Sequence, residues 1–301
     1  MKSLNLIINN NCNSRCSFCA IWENKELEFI SASMLSEFIN RKENISIEEI
    51  SITGGEPTLH PDLTEILKSI INHPNVKDVF LTTNGSSIKR IKEAVDLFCD
   101  SKINFHIVTS IDGMPINNDK LRGHRAFEKA KNAIVAVRET NPKNSIIISS
   151  TLTKNTSVAD FKYLVTLTKE NELGFTFRVA EKSKYYGNLH IPGTQFDISN
   201  ELKSEVLSYL RANKDNKYFS ALDRFLTSGE NILFDKGYLN CVAGERFATV
   251  TSEGKIMPCI HADDDIGKID DKEIKYKTKP VKRCPCFTEC AVWPNINFGN
   301  V

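Results

Sequence analysis

Leu4-Asn5-Leu6-Ile7-Ile8-Asn9-Asn10-Asn11-Cys12-Asn13-Ser14-Arg15-Cys16-Ser17-Phe18-Cys19 joins an apolar run to a loop carrying three cysteines. Leu4 to Ile8 reads as a buried strand, and the loop leaves its C-terminal end. The spacing CxxxCxxC brings three thiolates onto one tight stretch of chain. Three soft ligands fill three corners of a four-iron cluster that normally takes four cysteines, so one iron stays open for a substrate or cofactor. Phe18, just before the third cysteine, offers an aromatic face for a nucleobase. The competing reading is a structural zinc site, which thiolates two or three residues apart also suit; its fourth ligand is not nearby in the sequence.

At 301 residues the chain is long enough to bury a substantial core in one α/β domain or a barrel with an appendage. Lysine plus arginine total 39 against 38 aspartate plus glutamate, so no overall field holds nucleic acid. No apolar run approaches a membrane span, and the N-terminus enters a strand pattern where a signal peptide would place charges and then an apolar stretch. These features suggest a cytoplasmic enzyme with neither nucleic acid nor membrane as partner. Nine cysteines then point to metal sites or reactive thiols more than to disulfides. They divide as three near the N-terminus, one at Cys99 and five in the tail. Cys99 sits in a helical pattern with Ile91, Val95 and Phe98 and reads as a small core hydrophobe.

Working outward from the first strand, β-rich runs alternate with amphipathic stretches six times, the pattern of βα units around a parallel sheet. The strands are Leu4–Asn9, Glu49–Gly54, Asp78–Asn84, Ile103–Asp112, Ser145–Leu152 and Gly174–Glu181. Helices are clearest at Ser33–Lys42, Pro61–Ile71, Ile88–Phe98, Ala126–Arg138 and Val158–Asn171, with Ser31 and Ser157 as N-caps. Six units are too few for a closed eight-fold barrel. Residues 182–195 read as a loop, and helical patterns follow at Glu201–Leu210 and Phe219–Leu226, with Gly229 as a stop. Beyond Gly237 the composition shifts to cysteines, turns and short strands, which divides the chain into a core of residues 1–236 and a module of 237–301.

The second strand ends in Thr53-Gly54-Gly55-Glu56-Pro57, whose glycines permit close backbone approach. One strand after CxxxCxxC, this GGEP element makes the chain resemble the radical S-adenosylmethionine (SAM) enzymes. The resemblance implies a partial (β/α)6 TIM-like barrel, a SAM-binding [4Fe-4S] cluster on Cys12, Cys16 and Cys19, and SAM itself, its amino group held by Gly54, Gly55 and Glu56 and its adenine near Phe18. Asn84 and Ser110, on the same rim, are implied for the ribose hydroxyls and the SAM carboxylate. Asp119-Lys120-Leu121-Arg122-Gly123 resembles a DxxRG segment of peptide-modifying members, and the planar fork of Arg122 suits a carboxylate. In the family, one-electron cleavage of SAM gives methionine and a 5′-deoxyadenosyl radical that abstracts a hydrogen atom, with the electron coming from a donor such as flavodoxin or ferredoxin.

In the tail, Arg246–Thr251 and Lys255–Met257 flank Ser252-Glu253-Gly254, a hairpin signal. A hairpin there brings Cys241 and Cys259 together, and Cys284, Cys286 and Cys290 can close the site. This pattern resembles the SPASM and twitch modules of radical SAM enzymes and implies one auxiliary [4Fe-4S] cluster. Which two of the last three cysteines ligate stays open, zinc is the alternative, and His261 is a further candidate ligand. Arg178 and Glu181 at the last strand are candidate catalytic groups for moving a proton. Tyr185, with Tyr186 beside it, is a candidate for lining the pocket or relaying a hydrogen atom.

Two substrate classes fit the resemblance. One is a ribosomally made peptide that is crosslinked, epimerised or oxidised, with a leader-binding protein acting in trans because no peptide-binding segment precedes the first strand. The other is a small-molecule secondary alcohol, such as an aminocyclitol, oxidised by a dehydrogenase. A non-catalytic metal-binding protein is the alternative of another class.

Overall fold

Strands β1 (Ser3–Ile7), β2 (Glu49–Thr53), β3 (Asp78–Thr83), β4 (Asn104–Ser110), β5 (Ser145–Leu152) and β6 (Gly174–Val179) lie side by side in sequence order, every neighbouring pair parallel. The computed structural model describes residues 1–192, 196–229 and 241–276, together with 234–235, 238–239, 294, 296 and 297. Strand alternation explains the layering, because successive side chains point to opposite faces. Leu4 and Leu6, Ile50 and Ile52, Val79 and Leu81, Phe105 and Ile107 share one buried cluster with helix residues such as Ile66, Ile70, Ile91 and Val95. The other parity supplies Ser3, Asn5, Ser51, Thr53, Thr82 and Ser110 to an interior cavity. The result is an α/β fold with a partial, TIM-like barrel, as the six βα units imply.

The helices are α1 (Ala32–Ile39), α2 (Leu63–Ile71), α3 (Ile88–Phe98), α4 (Pro115–Arg122), α5 (Ala126–Thr140), α6 (Val158–Glu170), α7 (Asn200–Ala212) and α8 (Lys217–Ser228). Ser31 and Ser157 cap α1 and α6 as expected, and Gly229 ends α8 at φ 72°. Helices α7 and α8 pack on α6 and β6 through Phe161, Phe177, Tyr218 and Phe219, and the Tyr218 hydroxyl donates to the Phe177 carbonyl at 3.1 Å. Two features depart from the sequence reading. Helix α4 was not anticipated, since Pro115-Ile116-Asn117-Asn118 lacks apolar periodicity; proline at its start supplies the needed φ instead. Cys99 is the C-cap of α3 and exposed, not core, its thiol turned to the Val95 carbonyl.

The expected hairpin forms from β9 (Phe247–Val250) and β10 (Lys255–Met257), after a small pair β7 (Phe234–Asp235) and β8 (Tyr238–Leu239). β9 pairs in parallel with β1, and β11 (Gly267–Lys268) pairs with β10, so the main sheet continues past β1. A four-residue run carries no sequence signal of its partner, and this placement was therefore not legible.

Asp160 joins two βα loops. It completes the capping box with Ser157 and accepts from the Met114 amide at 2.9 Å and Asn117 Nδ2 at 2.8 Å. Burial pushes its carboxyl up, but these hydrogen bonds outweigh it and hold the carboxyl below the ordinary 3.8. A depressed folded value means its stabilisation is present above 3.8 and disappears as the pH falls through the depressed value. Asp160→Asn is expected to cost about 1 kcal/mol at pH 7, a deficit that urea unfolding should find shrinking in acid.

Candidate cluster and cofactor site

The cysteine loop is seated on two glycines. A Cβ on Gly55 would lie 2.2 Å from the Asn11 carbonyl oxygen and 2.9 Å from the Cys12 amide nitrogen, and one on Gly54 would lie 2.6 Å from the Asn9 carbonyl oxygen. The close approach lets Gly55 and Glu56 amides donate to the Asn9 and Asn11 carbonyls at 2.8 and 2.7 Å. GGEP is thus the shelf that fixes the start of CxxxCxxC, and the Gly54 carbonyl accepts from the Tyr185 hydroxyl at 3.1 Å.

Glu56 is buried, and its carboxylate faces the protein. It accepts from the Thr58 amide and hydroxyl at 3.0 and 2.6 Å, the Thr83 hydroxyl at 2.8 Å and the Asn84 amide at 2.6 Å. Burial pushes its carboxyl up against the pull of these donors. The side chain ties the end of β2 to that of β3. Asn84 passes the link on, donating to Asn13 Oδ1 at 2.8 Å and Ser14 Oγ at 2.9 Å within the cysteine loop.

The DxxRG segment resolves into separate tasks. Asp119 accepts from the Arg125 and Phe127 amides at 3.1 and 2.8 Å, which fixes the start of α5. Gly123 takes φ 107°, and the last carbonyls of α4, on Leu121 and Arg122, accept from the Ser17 and Arg15 amides at 2.8 and 3.4 Å. The Arg122 fork is engaged by the fully buried Asp112, Nε to Oδ2 at 2.5 Å and Nη2 to Oδ1 at 3.0 Å. The bidentate face of Arg122, which suits a carboxylate, is thus turned to a carboxylate of the chain itself. Nη1 remains, 4.0 Å from the Cys16 sulfur, with the guanidinium 5.3 Å from the centre of the Phe18 ring.

Cys12, Cys16, Cys19 and Phe18 line one cavity of about 690 Å³ with Gly54, Gly55, Glu56, Asn84, Ser110 and Arg122; Arg178, Glu181, Tyr185 and Tyr186 line it too. The structure therefore brings all the N-terminal site candidates together. Glu181 lies just past the end of β6. Arg178 Nη1 bonds the Tyr186 hydroxyl at 3.2 Å, and Glu181 sits 3.4 Å from His261, which the sequence reading offered as a ligand. Three contributors were missed. Trp22 lines the cavity and donates to the Cys19 carbonyl at 2.9 Å, while buried Asn188 donates to the Phe18 and Glu181 carbonyls at 2.8 and 3.0 Å. Asp112 enters the sequence reading only as the end of the fourth strand. No local pattern marks Asn188, whose partners are 170 and 7 residues away.

Do these residues fit a cluster? Burial pushes the Cys12 thiol up to about 12 and the Cys16 thiol up to about 11, Arg122 pulling the latter back. Iron would replace those protons, and two cations beside the thiols would offset the added charge. Among the described residues no three His, Cys, Asp or Glu side chains converge as a bare metal ion asks; a four-iron cube takes its thiolates on separate corners. The set fits. Cys12, Cys16 and Cys19 would hold the cluster, and Gly54, Asn84 and Ser110 line the same cavity.

In the tail, Cys259 packs against Val242 and Phe247, one residue on from Cys241. By register Cys259 lies near the start of β9, whereas CxxxCxxC leaves the opposite end of neighbouring β1. Cys284, Cys286 and Cys290 lie outside the described residues. Among the described residues no helix is long and apolar enough to cross a membrane.

A cysteine loop at the C-terminal mouth of an open parallel barrel defines an iron–sulfur enzyme of the TIM-like class. The chain belongs to the radical SAM superfamily, whose model matches residues 6–167. It is 28% identical over 211 residues to a GTP 3′,8-cyclase of Pasteurella multocida, covering 63% of this chain and 58% of that protein. A GTP 3′,8-cyclase of Haemophilus influenzae is 25% identical over 286 residues, 87% and 79% of the two chains. Streptococcus suis SuiB, solved with S-adenosylmethionine, superposes with a TM-score of 0.67 at 20% identity, covering 90% of this chain and 64% of SuiB. SuiB has also been solved with its precursor peptide SuiA. The chain thus spans less than two thirds of the Pasteurella enzyme and of SuiB. Membership in the family implies a [4Fe-4S] cluster and SAM.

Proposed function

We propose that the chain cleaves SAM reductively and abstracts a hydrogen atom from a substrate in the barrel cavity, modifying a ribosomally made peptide. The observation that carries this is the meeting of three thiols, a glycine shelf and two arginines on one cavity wall. A [4Fe-4S] cluster held by Cys12, Cys16 and Cys19 would supply the electron for cleaving the carbon–sulfur bond of bound SAM. The chain's own part is positional. Phe18 and Trp22 offer aromatic faces at the mouth, Asn84 holds the loop, Arg178 brings positive charge near Cys19, and Tyr185 and Tyr186 line the site. Tyr185 lines the cavity with its hydroxyl held against the Gly54 carbonyl, which makes it the candidate for relaying a hydrogen atom. The peptide reading draws on the likeness to SuiB, with a leader-binding protein in trans.

Oxidation of a secondary alcohol, as on an aminocyclitol, is the second reading. It is favoured by the hydroxyl-lined wall and by Glu181 beside His261, an acceptor for the alcohol proton. In either case Cys241 and Cys259, with two of Cys284, Cys286 and Cys290, would form an auxiliary [4Fe-4S] site at the other end of the cavity, within a module of residues 237–301. Anaerobically reconstituted protein given SAM and dithionite should release 5′-deoxyadenosine, and mass spectrometry in deuterium oxide should separate epimerisation, crosslinking and oxidation. No 5′-deoxyadenosine from protein with full iron content would refute the proposal.

A further inference from the structure

The cavity has chemically opposite ends. Arg122 and Arg178 stand at the cysteine mouth, and Glu49 lines the far end with Ser3, Asn5 and Ser51. Glu49 opens β2, in register with Ser3 at the start of β1, a full strand length from the loop that carries Cys12. Its Oε1 accepts from the Ser3 hydroxyl at 3.1 Å and its Oε2 from Asn297 Nδ2 at 3.4 Å. Among the described residues no cation pairs with it. The charged group that acts on it is a second carboxylate, Asp78, its register partner on β3. Burial pushes the Glu49 carboxyl up, and Asp78 adds to the effect.

A carboxylate largely withdrawn from water is ordinarily paired with a cation, and like charges directly opposite on adjacent strands are unfavourable. An acid kept in such a place, inside a cavity that must hold a substrate, is explained by a counter-charge that arrives with the substrate. We propose that Glu49 binds a protonated amine of the substrate, anchoring its far end while the reacting C–H faces the cysteine mouth. This rests on the hydrogen-abstraction reading above and sharpens it to an amine-bearing substrate. A lysine side chain and an aminocyclitol share that chemistry, whereas a polyphosphate placed here would meet a carboxylate.

Calorimetric titration of reconstituted holoenzyme with 1,5-diaminopentane and with pentane-1,5-diol tests it. The diamine is expected to bind at least about tenfold tighter, a difference of about 1.4 kcal/mol, and Glu49→Gln should remove that preference. Should Glu49→Gln not fold, Ser51→Lys serves instead, since its tethered ammonium should reach Glu49 and displace the diamine. Equal affinity for diamine and diol in the wild type, or a preference that survives both substitutions, overturns the proposal. Glu49-dependent binding of Ala-Lys-Ala or of 2-deoxystreptamine supports it and assigns the source of the amine. 5′-Deoxyadenosine release by the wild type without any amine is scored separately, so failure of the underlying reading is distinguishable from failure of this one.

Discussion

Gly55→Ala abolishes cluster loading: purified without oxygen, the variant is expected to carry less than about a tenth of the wild-type iron. The added carbon falls 2.2 Å from the Asn11 carbonyl oxygen and 2.4 Å from its carbon, well inside contact distance with backbone that cannot rotate away. Either the Gly55–Asn9 and Glu56–Asn11 hydrogen bonds break or β2 shifts, and both displace Cys12. Overpacking of this kind costs about 1–3 kcal/mol or more, concentrated on the segment that presents the first thiol. Iron and sulfide analysis, with circular dichroism to confirm that the barrel has folded, measures it. Normal loading would show that the shelf is dispensable.

Asp112→Ala has the largest expected effect on stability. Asp112 is fully buried, holds the Arg122 fork and accepts from the Thr151 amide at 2.7 Å, so truncation leaves a buried cation and an amide without their acceptor. Removing one partner of a buried pair costs about 3–5 kcal/mol. Urea unfolding at pH 7 should show that loss, and the double variant Asp112→Ala/Arg122→Met should recover much of it, because removing both charges is far less costly. A single variant as stable as the wild type would mean that Arg122 finds another acceptor.

The sheet was legible because its strands have two faces of different chemistry. Ile50 and Ile52 against Ser51 and Thr53 give the period, and the helix stops and caps at Ser31, Ser157 and Gly229 are local chemistry. The cysteine loop and the glycines were legible as motifs, but their mutual purpose was not. Only the fold reveals that Gly55 is small to admit Asn11, or that the Arg122 fork is spent on Asp112. The same limit hid Asn188 and the β9–β1 pairing, which depend on contacts between residues far apart in the chain. Helix α4 was missed for a different reason: its exposed Ile116 and buried Asn118 invert the usual pattern, since Asn118 Oδ1 accepts from the Asp112 amide at 2.8 Å.

Electron paramagnetic resonance on anaerobically reduced protein, before and after addition of SAM, bears most directly on whether an open iron beside the Cys12–Cys19 loop takes up the sulfonium cofactor. Cys241→Ala/Cys259→Ala protein removes the proposed auxiliary site from the signal. A reduced [4Fe-4S] signal whose g-values shift when SAM is added is the predicted result; zinc in place of iron, or an iron signal indifferent to SAM, would contradict it.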